Sequence, residues 1–237
     1  MLKVIVLLFI STFTYALSSD KTDGFSGNFD LGFNYSQNIK NILQFNNVFL
    51  ANYKHKKSLV TLNNNISFIN QTGEEKMLNK GVQDLKYTFN TSQFGTDLIF
   101  QHLYDISRSI KSRWTTGIGI SYAIVKSDIE KDRFGISTLR EIETALDGNQ
   151  EINTRMSGSI DFTVKLLNNV ELISKNLYQP NIKNIGDFRY KSNLTLRIRI
   201  NSNFQLSLNN NFNYDSYPKL DTPEKDYQLI NSLSYTF

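Results

Sequence analysis

The fold class this sequence predicts is all-β: an antiparallel up-and-down barrel whose strands cross a membrane. Three observations carry that reading. Apolar residues recur at every second position in segment after segment, the pattern of a strand with one apolar and one wet face. The segments run about 10 to 14 residues, longer than the five or six of an ordinary globular strand and suited to crossing a bilayer at a tilt. Aromatic residues gather near segment ends on the apolar face, as they do in the interfacial girdles of membrane barrels.

The first nineteen residues stand apart. Lys3 gives a short positive start, Val4 to Ile10 is an unbroken apolar run, and small residues (Thr14, Ala16, Ser18, Ser19) precede the charged Asp20-Lys21-Thr22-Asp23. This is the layout of a secretory signal peptide and is too short for a spanning helix. Cleavage is expected after Ala16 or Ser19, which leaves residues 20–237 as the exported barrel domain.

The strands follow in order. Phe25, Gly27, Phe29, Leu31, Phe33 and Tyr35 share one face, with Ser26, Asn28, Asp30, Gly32, Asn34 and Ser36 on the other. Leu43, Phe45, Phe49, Ala51 and Tyr53 form the second apolar face, and Val60, Leu62, Ile66 and Phe68 the third. The fourth holds Val82, Leu85, Tyr87 and Phe89, which requires a slip of register before Leu85. The fifth runs Phe94, Thr96, Leu98, Phe100, His102, Tyr104, and the sixth Trp114, Thr116, Ile118, Ile120, Tyr122, Ile124. The segment 134–146 fits a strand or a helix almost equally. Residues 152–164, 188–200 and 204–214 alternate cleanly, 170–178 more weakly, and the chain closes on Tyr227, Leu229, Leu233, Tyr235 and Phe237. The count is twelve, within a range of ten to fourteen. An even count puts both termini at one end of the barrel.

Composition agrees with export and excludes several classes. Of 237 residues, 40% are hydrophobic and 13% aromatic, and 28 are Asn. A mean hydropathy of −0.35 excludes a bundle of membrane helices, which needs several apolar runs of about 20 residues. It does not exclude a barrel, whose alternation averages out. With no cysteine there is no disulfide scaffold, thiolate metal site or cysteine nucleophile. The formal charge of +4 comes from Lys and Arg spread among acidic residues. That suits anionic lipid headgroups; no nucleic-acid motif accompanies it.

Loop lengths test the topology, because in such barrels the outward connections are the longer ones. With a periplasmic N-terminus these are the odd-numbered ones. Connections 3–4, 5–6, 9–10 and 11–12 read as long, and 4–5, 8–9 and 10–11 as short. Against the rule, 1–2 and 7–8 (the turn Asp147-Gly148-Asn149) read as short and 6–7 as long.

Candidate chemistry is sparse. His55 lies in the charged turn Lys54-His55-Lys56-Lys57 and reads as solvated. His102 lies on the apolar face, where a catalytic base would need a serine in reach and a third group to orient the ring; Tyr104 stands two positions on. An interfacial histidine is the simpler reading. There is no HExxH or GxSxG motif, and Asp128-Ile129-Glu130-Lys131-Asp132 lacks the glycine and spacing of a calcium loop and reads as a solvated connection. No cofactor, metal or catalytic residue is expected. The inward face is richer. Parity points Glu141, Glu143, Arg155, Asp161, Lys165, Glu171, Lys175, Arg189, Lys191, Arg197 and Arg199 into the lumen, where opposite charges can pair across strands. This cluster is either a wet interior filling a narrow barrel or a constriction selecting small, anionic solutes. Strands 1 to 3 supply mainly Asn, Ser, Gln and Thr, so the lumen is expected to be lopsided. The same parity puts Arg140 on the outer face, which calls for an interfacial depth or a bulge.

Several segments also resemble a known family. GFSGNFDLGFNYSQN at the start, the strand Gly117-Ile118-Gly119-Ile120-Ser121-Tyr122, Asp187-Phe188-Arg189-Tyr190, Tyr214-Asp215-Ser216-Tyr217-Pro218, Asp226 and the ending Leu233-Ser234-Tyr235-Thr236-Phe237 are similar to the salt-induced outer-membrane proteins, a domain-of-unknown-function family of Gram-negative bacteria. The resemblance covers nearly all of 24–237; Gln37-Asn38 stands where the family often has Gly-Asn. It implies an outer-membrane barrel and supplies no catalytic residues; the expectation for the whole chain is a non-enzymatic barrel with a structural, stress-related or small-pore role. Tyr235 and terminal Phe237 also resemble the signal read by the barrel assembly machinery. Two alternatives remain: a lipid-modifying barrel enzyme, and a soluble periplasmic β-sandwich or lipocalin-like protein.

Overall fold

A computed structural model of the chain describes residues 23–37, 41–71, 78–91, 93–125, 130–219 and 222–237. The expected signal segment 1–19 lies outside the described residues. Twelve strands make up the fold: β1 (Gly24–Gln37), β2 (Asn41–His55), β3 (Ser58–Gln71), β4 (Leu78–Thr91), β5 (Phe94–Asp105), β6 (Ile110–Val125), β7 (Glu130–Ala145), β8 (Gln150–Leu167), β9 (Val170–Pro180), β10 (Phe188–Arg199), β11 (Phe204–Asp215) and β12 (Lys225–Thr236). Each pairs with its sequence neighbour, and β12 pairs back to β1, so the barrel is closed and leaves no sheet edge.

Alternation builds the wall because antiparallel partners point to the same side. Phe25 thus stands opposite Tyr53, with ring centroids 4.5 Å apart, and Phe94 opposite Tyr122 at 5.0 Å. The seam between β1 and β12 is the shortest, running from Asn28↔Thr236 to Gly32↔Ser232. It is finished by a reciprocal pair: the Gly27 N–H donates to the Phe237 carbonyl at 3.0 Å and the Phe237 N–H to the Gly27 carbonyl at 3.1 Å. A Cβ at Gly27 would stand 2.4 Å from the Leu50 carbonyl oxygen and 2.7 Å from the Phe237 ring. Glycine is what lets the last ring lie across the seam.

Burial is inverted relative to a soluble domain. Among the described residues the buried hydrophobic side chains are Leu103, Ile110, Leu139 and Ala145, whereas the buried polar ones include Asn46, Thr88, Asp97, Arg113, Glu141, Arg155, Ser207 and Ser234. Large apolar residues such as Ile120, Ile136, Leu98 and Leu229 are exposed on the outer wall. A sandwich or lipocalin-like protein would use the apolar face as its core; here that face points out, which removes the soluble alternative.

Four local expectations need correction. β4 has no register slip on either side. Val82 therefore faces inward, opposite Leu103, and Gln83 faces outward. The ambiguous 134–146 segment is a strand, extended back to Glu130, so Glu130-Lys131-Asp132 belongs to β7 and is not a loop. Connection 5–6 is not long, since a 3₁₀ turn (Ile106–Arg108) closes it within residues 106–109. Because β7 begins at Glu130, only residues 126–129, which lie outside the described residues, are left for connection 6–7. Among the described residues 181–187 is a long, odd-numbered connection, against two-residue turns at 56–57 and 168–169; the expected long connection 3–4 and the middle of connection 11–12 (216–224) lie outside the described residues. The turn at Asp147-Gly148-Asn149 forms as its sequence suggests: Gly148 has φ +90°, and the Asn149 N–H donates to Asp147 Oδ1 at 3.0 Å.

A charged wall inside the barrel

All eleven charged positions singled out by parity lie on the lumen side in the strand registers. They do not form one cluster. Glu141, Glu143, Arg155 and Arg189 come together at the end bearing the odd connections, Glu171, Arg197 and Arg199 at the opposite end, and Asp161, Lys175 and Lys191 between. Lys165 stands opposite Glu171 at the far rim, exposed.

The first group is the best organised. Arg155, 2% exposed, has an acceptor for every guanidinium N–H: Nε donates to Glu141 Oε2 (3.1 Å), Nη1 to the carbonyls of Gln179 (3.1 Å) and Asp187 (3.2 Å), and Nη2 to both carboxylate oxygens of Asp187 (2.8 and 3.0 Å). Loop 181–187 is thereby held against β8, helped by a bridge between Arg155 and Asn181 and by the Ile182 N–H donating to the Thr154 carbonyl at 2.9 Å. Arg189 reaches from β10 to Glu141 on β7 (2.9 Å) and contacts Asp215 on β11 (3.3 Å) and Glu143 (3.6 Å). Glu143 is further paired with Arg113 of β6 and, at 2.7 Å, with Lys219 from loop 216–224. Five strands and two loops are thus tied through two glutamates. A cavity of about 290 Å³ lies against this network, bordered by Arg113, Glu143, Arg155, Asp187, Arg189 and Lys219.

Sequence reasoning missed half of these partners. Period two does not single out Arg113, because the pattern of β6 is carried by its apolar face, nor Asp187 and Lys219, because loops carry no parity. An arginine predicted inward beside a following Asp187-Phe188-Arg189 was the available signal.

At the opposite end, Glu171 faces Arg197 (3.8 Å) and Arg199 (3.5 Å) beside a second cavity of about 280 Å³. In mid-barrel Asp97 binds Lys86 (2.9 Å), accepts from Thr88 (2.6 Å) and lies 3.8 Å from Arg133. Lys175 extends into the lumen opposite Asp161, and Lys191 beside Arg189 on β10. β4 and β5 add Asp84, Asp105 and Lys80, the last 3.6 Å from Asp226 of β12, and the rest of the wall, Asp30 apart, is mainly neutral. Thr195 donates to Asn209 (2.8 Å), Asn209 to Ser232 (3.2 Å), Gln205 to Thr236 (3.1 Å), and Ser207 and Ser234 share a bond of 3.2 Å.

On the outer wall, Arg140 keeps its expected face and donates to Thr154 at 2.9 Å. It lies five residues from the end of β7. His55 is exposed and sits 3.3 Å from Asp23. His102 faces outward, bonded to Gln83 and Ser112. Among the described residues no group of three or more His, Asp or Glu side chains is placed to hold a metal ion.

The model of one protein family, described as "Protein of unknown function, DUF481", matches residues 22–237. The chain belongs to that family. No curated protein matches it. Among solved structures, a KdgM porin in complex with disordered oligogalacturonate superposes with a TM-score of 0.50 at 10% identity, covering 90% of this chain and 99% of that one. The KdgM porin in another structure gives 0.51 at 10% identity, with 90% and 99% covered. A NanC porin gives 0.50 at 6% identity, with 89% and 97% covered. At such identities the likeness concerns the fold, and the fold is that of outer-membrane β-barrel porins.

Proposed function

We propose that this DUF481 protein is an outer-membrane pore for small polar solutes, non-enzymatic in its lumen, with its charged wall biasing passage toward anions. One observation carries the reading: the closed barrel turns its polar and charged side chains inward and its apolar ones outward. A barrel serving only as a wall element could pack its interior with apolar side chains. Here charge lines the interior, and the ion-paired network gathers on β6 to β11, opposite a mainly neutral wall. Lys191, to which no carboxylate among the described residues forms an ion pair, adds positive potential in the lumen, where a low-dielectric surround strengthens it, whereas Lys175 stands opposite Asp161. The oligogalacturonate named with the KdgM porin is a carboxylate sugar; a short acidic sugar is the first solute to try here.

The reading includes export by residues 1–19, recognition of Tyr235 and Phe237 by the barrel assembly machinery, residence among phospholipid and lipopolysaccharide, and induction by salt stress as the family resemblance implies. Liposome swelling tests the solute: vesicles with the refolded protein should swell faster in a galacturonate than in an uncharged sugar of equal size. Lys191→Glu should abolish that preference. Equal rates in both sugars would remove the anionic bias, and no swelling would remove the pore.

A further inference from the structure

The feature the lumen does not use is on the outer wall. Gln83 of β4, His102 of β5 and Ser112 of β6 form a hydrogen-bonded line facing away from the barrel axis. His102 Nδ1 lies 2.9 Å from Gln83 Oε1, directly across the β4–β5 pair, and His102 Nε2 lies 3.3 Å from Ser112 Oγ, on the diagonal across β5–β6. The amide oxygen only accepts, so Nδ1 carries the proton and Nε2 presents its lone pair to the serine hydroxyl. Nucleophile, base and orienting group stand in sequence, the arrangement by which an activated serine is recognised on any fold.

The surroundings hold this geometry. The His102 ring lies against Trp114 with centroids 4.2 Å apart and near Tyr104 at 6.3 Å. Between Asp105↔Ile110 and Leu103↔Arg113 the β5–β6 register shifts, and a bulge of this kind re-aims a side chain. His102 is three residues from the end of β5, in a belt with Trp114 and Tyr104. Aromatic belts mark the depth of the membrane interface, and that is where the ester carbonyls of acyl lipids lie.

We propose that Ser112, His102 and Gln83 form a lipid-facing acyl-ester hydrolase site whose substrate is a glycerophospholipid. Ser112 Oγ attacks the ester carbonyl carbon while its proton passes to His102 Nε2. The carbon–oxygen bond to glycerol breaks, and the imidazolium returns the proton to the departing alkoxide, giving a lysolipid and an acyl-serine. Water, deprotonated by the same Nε2, then attacks the acyl-serine; the acyl carbon–Oγ bond breaks, the imidazolium returns the proton to Ser112 Oγ, and a fatty acid is released. Ser112 is the nucleophile, His102 the base, and Gln83 a positioning residue. The proposal is independent of the pore, since none of the three faces the lumen.

The test treats the full-length protein, purified in detergent with its folded state checked by heat-modifiable mobility, with a fluorophosphonate that labels activated serines. It then measures fatty-acid release from phosphatidylethanolamine vesicles. The expected result is one label, mapped to Ser112, with fatty-acid release. Ser112→Ala should lose both, His102→Asn should slow both by about a hundredfold or more, and Thr96→Ala, elsewhere on β5, should change neither. Gln83→Ala should slow release, with rescue by Gln83→Asn. A folded wild-type chain that takes no label at Ser112, or is labelled equally fast without His102, would overturn the proposal. So would label without fatty-acid release, which would place ring and serine in the aromatic belt as packing alone.

Discussion

The two sides of the lumen follow the same strand geometry and behave differently. On β6 to β10, inward positions hold arginines and glutamates long enough to reach across several strands, as Arg189 does to Glu141. On β11, β12 and β1 to β3 they hold mostly Asn, Ser, Thr and Gln, which reach only the adjacent strand, as Ser207 does to Ser234. The long side chains therefore draw loops 181–187 and 216–224 against the charged wall, while the short ones form ladders along theirs. Side-chain reach, not backbone register, sets where the interior is filled.

If that contrast is right, removing one member of the charged wall should cost most. Arg155→Met leaves Asp187 without its arginine and Glu141 with Arg189 alone, and is expected to lower stability by about 3–5 kcal/mol, the range for breaking a buried pair from one side, measured by urea unfolding in lipid vesicles. Loop 181–187 should become cleavable by protease at the same time. A loss comparable to that of a ladder substitution would collapse the distinction between the walls.

Gly27→Ala comes next, because its Cβ would collide with the Leu50 carbonyl and the Phe237 ring. A loss of about 1–3 kcal/mol is the usual range for overpacking, with less of the heat-modifiable folded form after refolding. On the neutral wall, Asn209→Ala removes partners of Thr195 and Ser232 and should cost about 1 kcal/mol. Smallest is Arg140→Leu, which gives up one exposed bond to Thr154. With its long stem free to carry the head group toward the nearer interface, it should change stability by less than about 1 kcal/mol in either direction; a gain of several would place the Arg140 guanidinium at mid-membrane.

The sequence made one wall more legible than its closure. Parity is local, so the inward face of β7 to β10 and the outward Arg140 were readable from period two alone. Val82 was not: its apolar side chain suggested an outward position and a slip, yet it lies opposite Leu103 within the lumen. An interior that is polar overall still accepts an apolar pair, and no single strand reveals it. The length of β7 was hidden for a different reason. At Glu130-Lys131-Asp132 the charged residues end the alternation, and the local pattern there is that of a loop. The partners of Arg155 and the Gln83–His102–Ser112 line depend on register between strands, which no local pattern encodes.

Single-channel recording in a planar bilayer tests the central claim most directly. The account predicts discrete conductance steps from the refolded wild-type protein, with anion-selective reversal potentials, and larger steps from Lys219→Ala, whose loop is released from Glu143. A protein that inserts, shows heat-modifiable mobility and gives no steps in either form would contradict it.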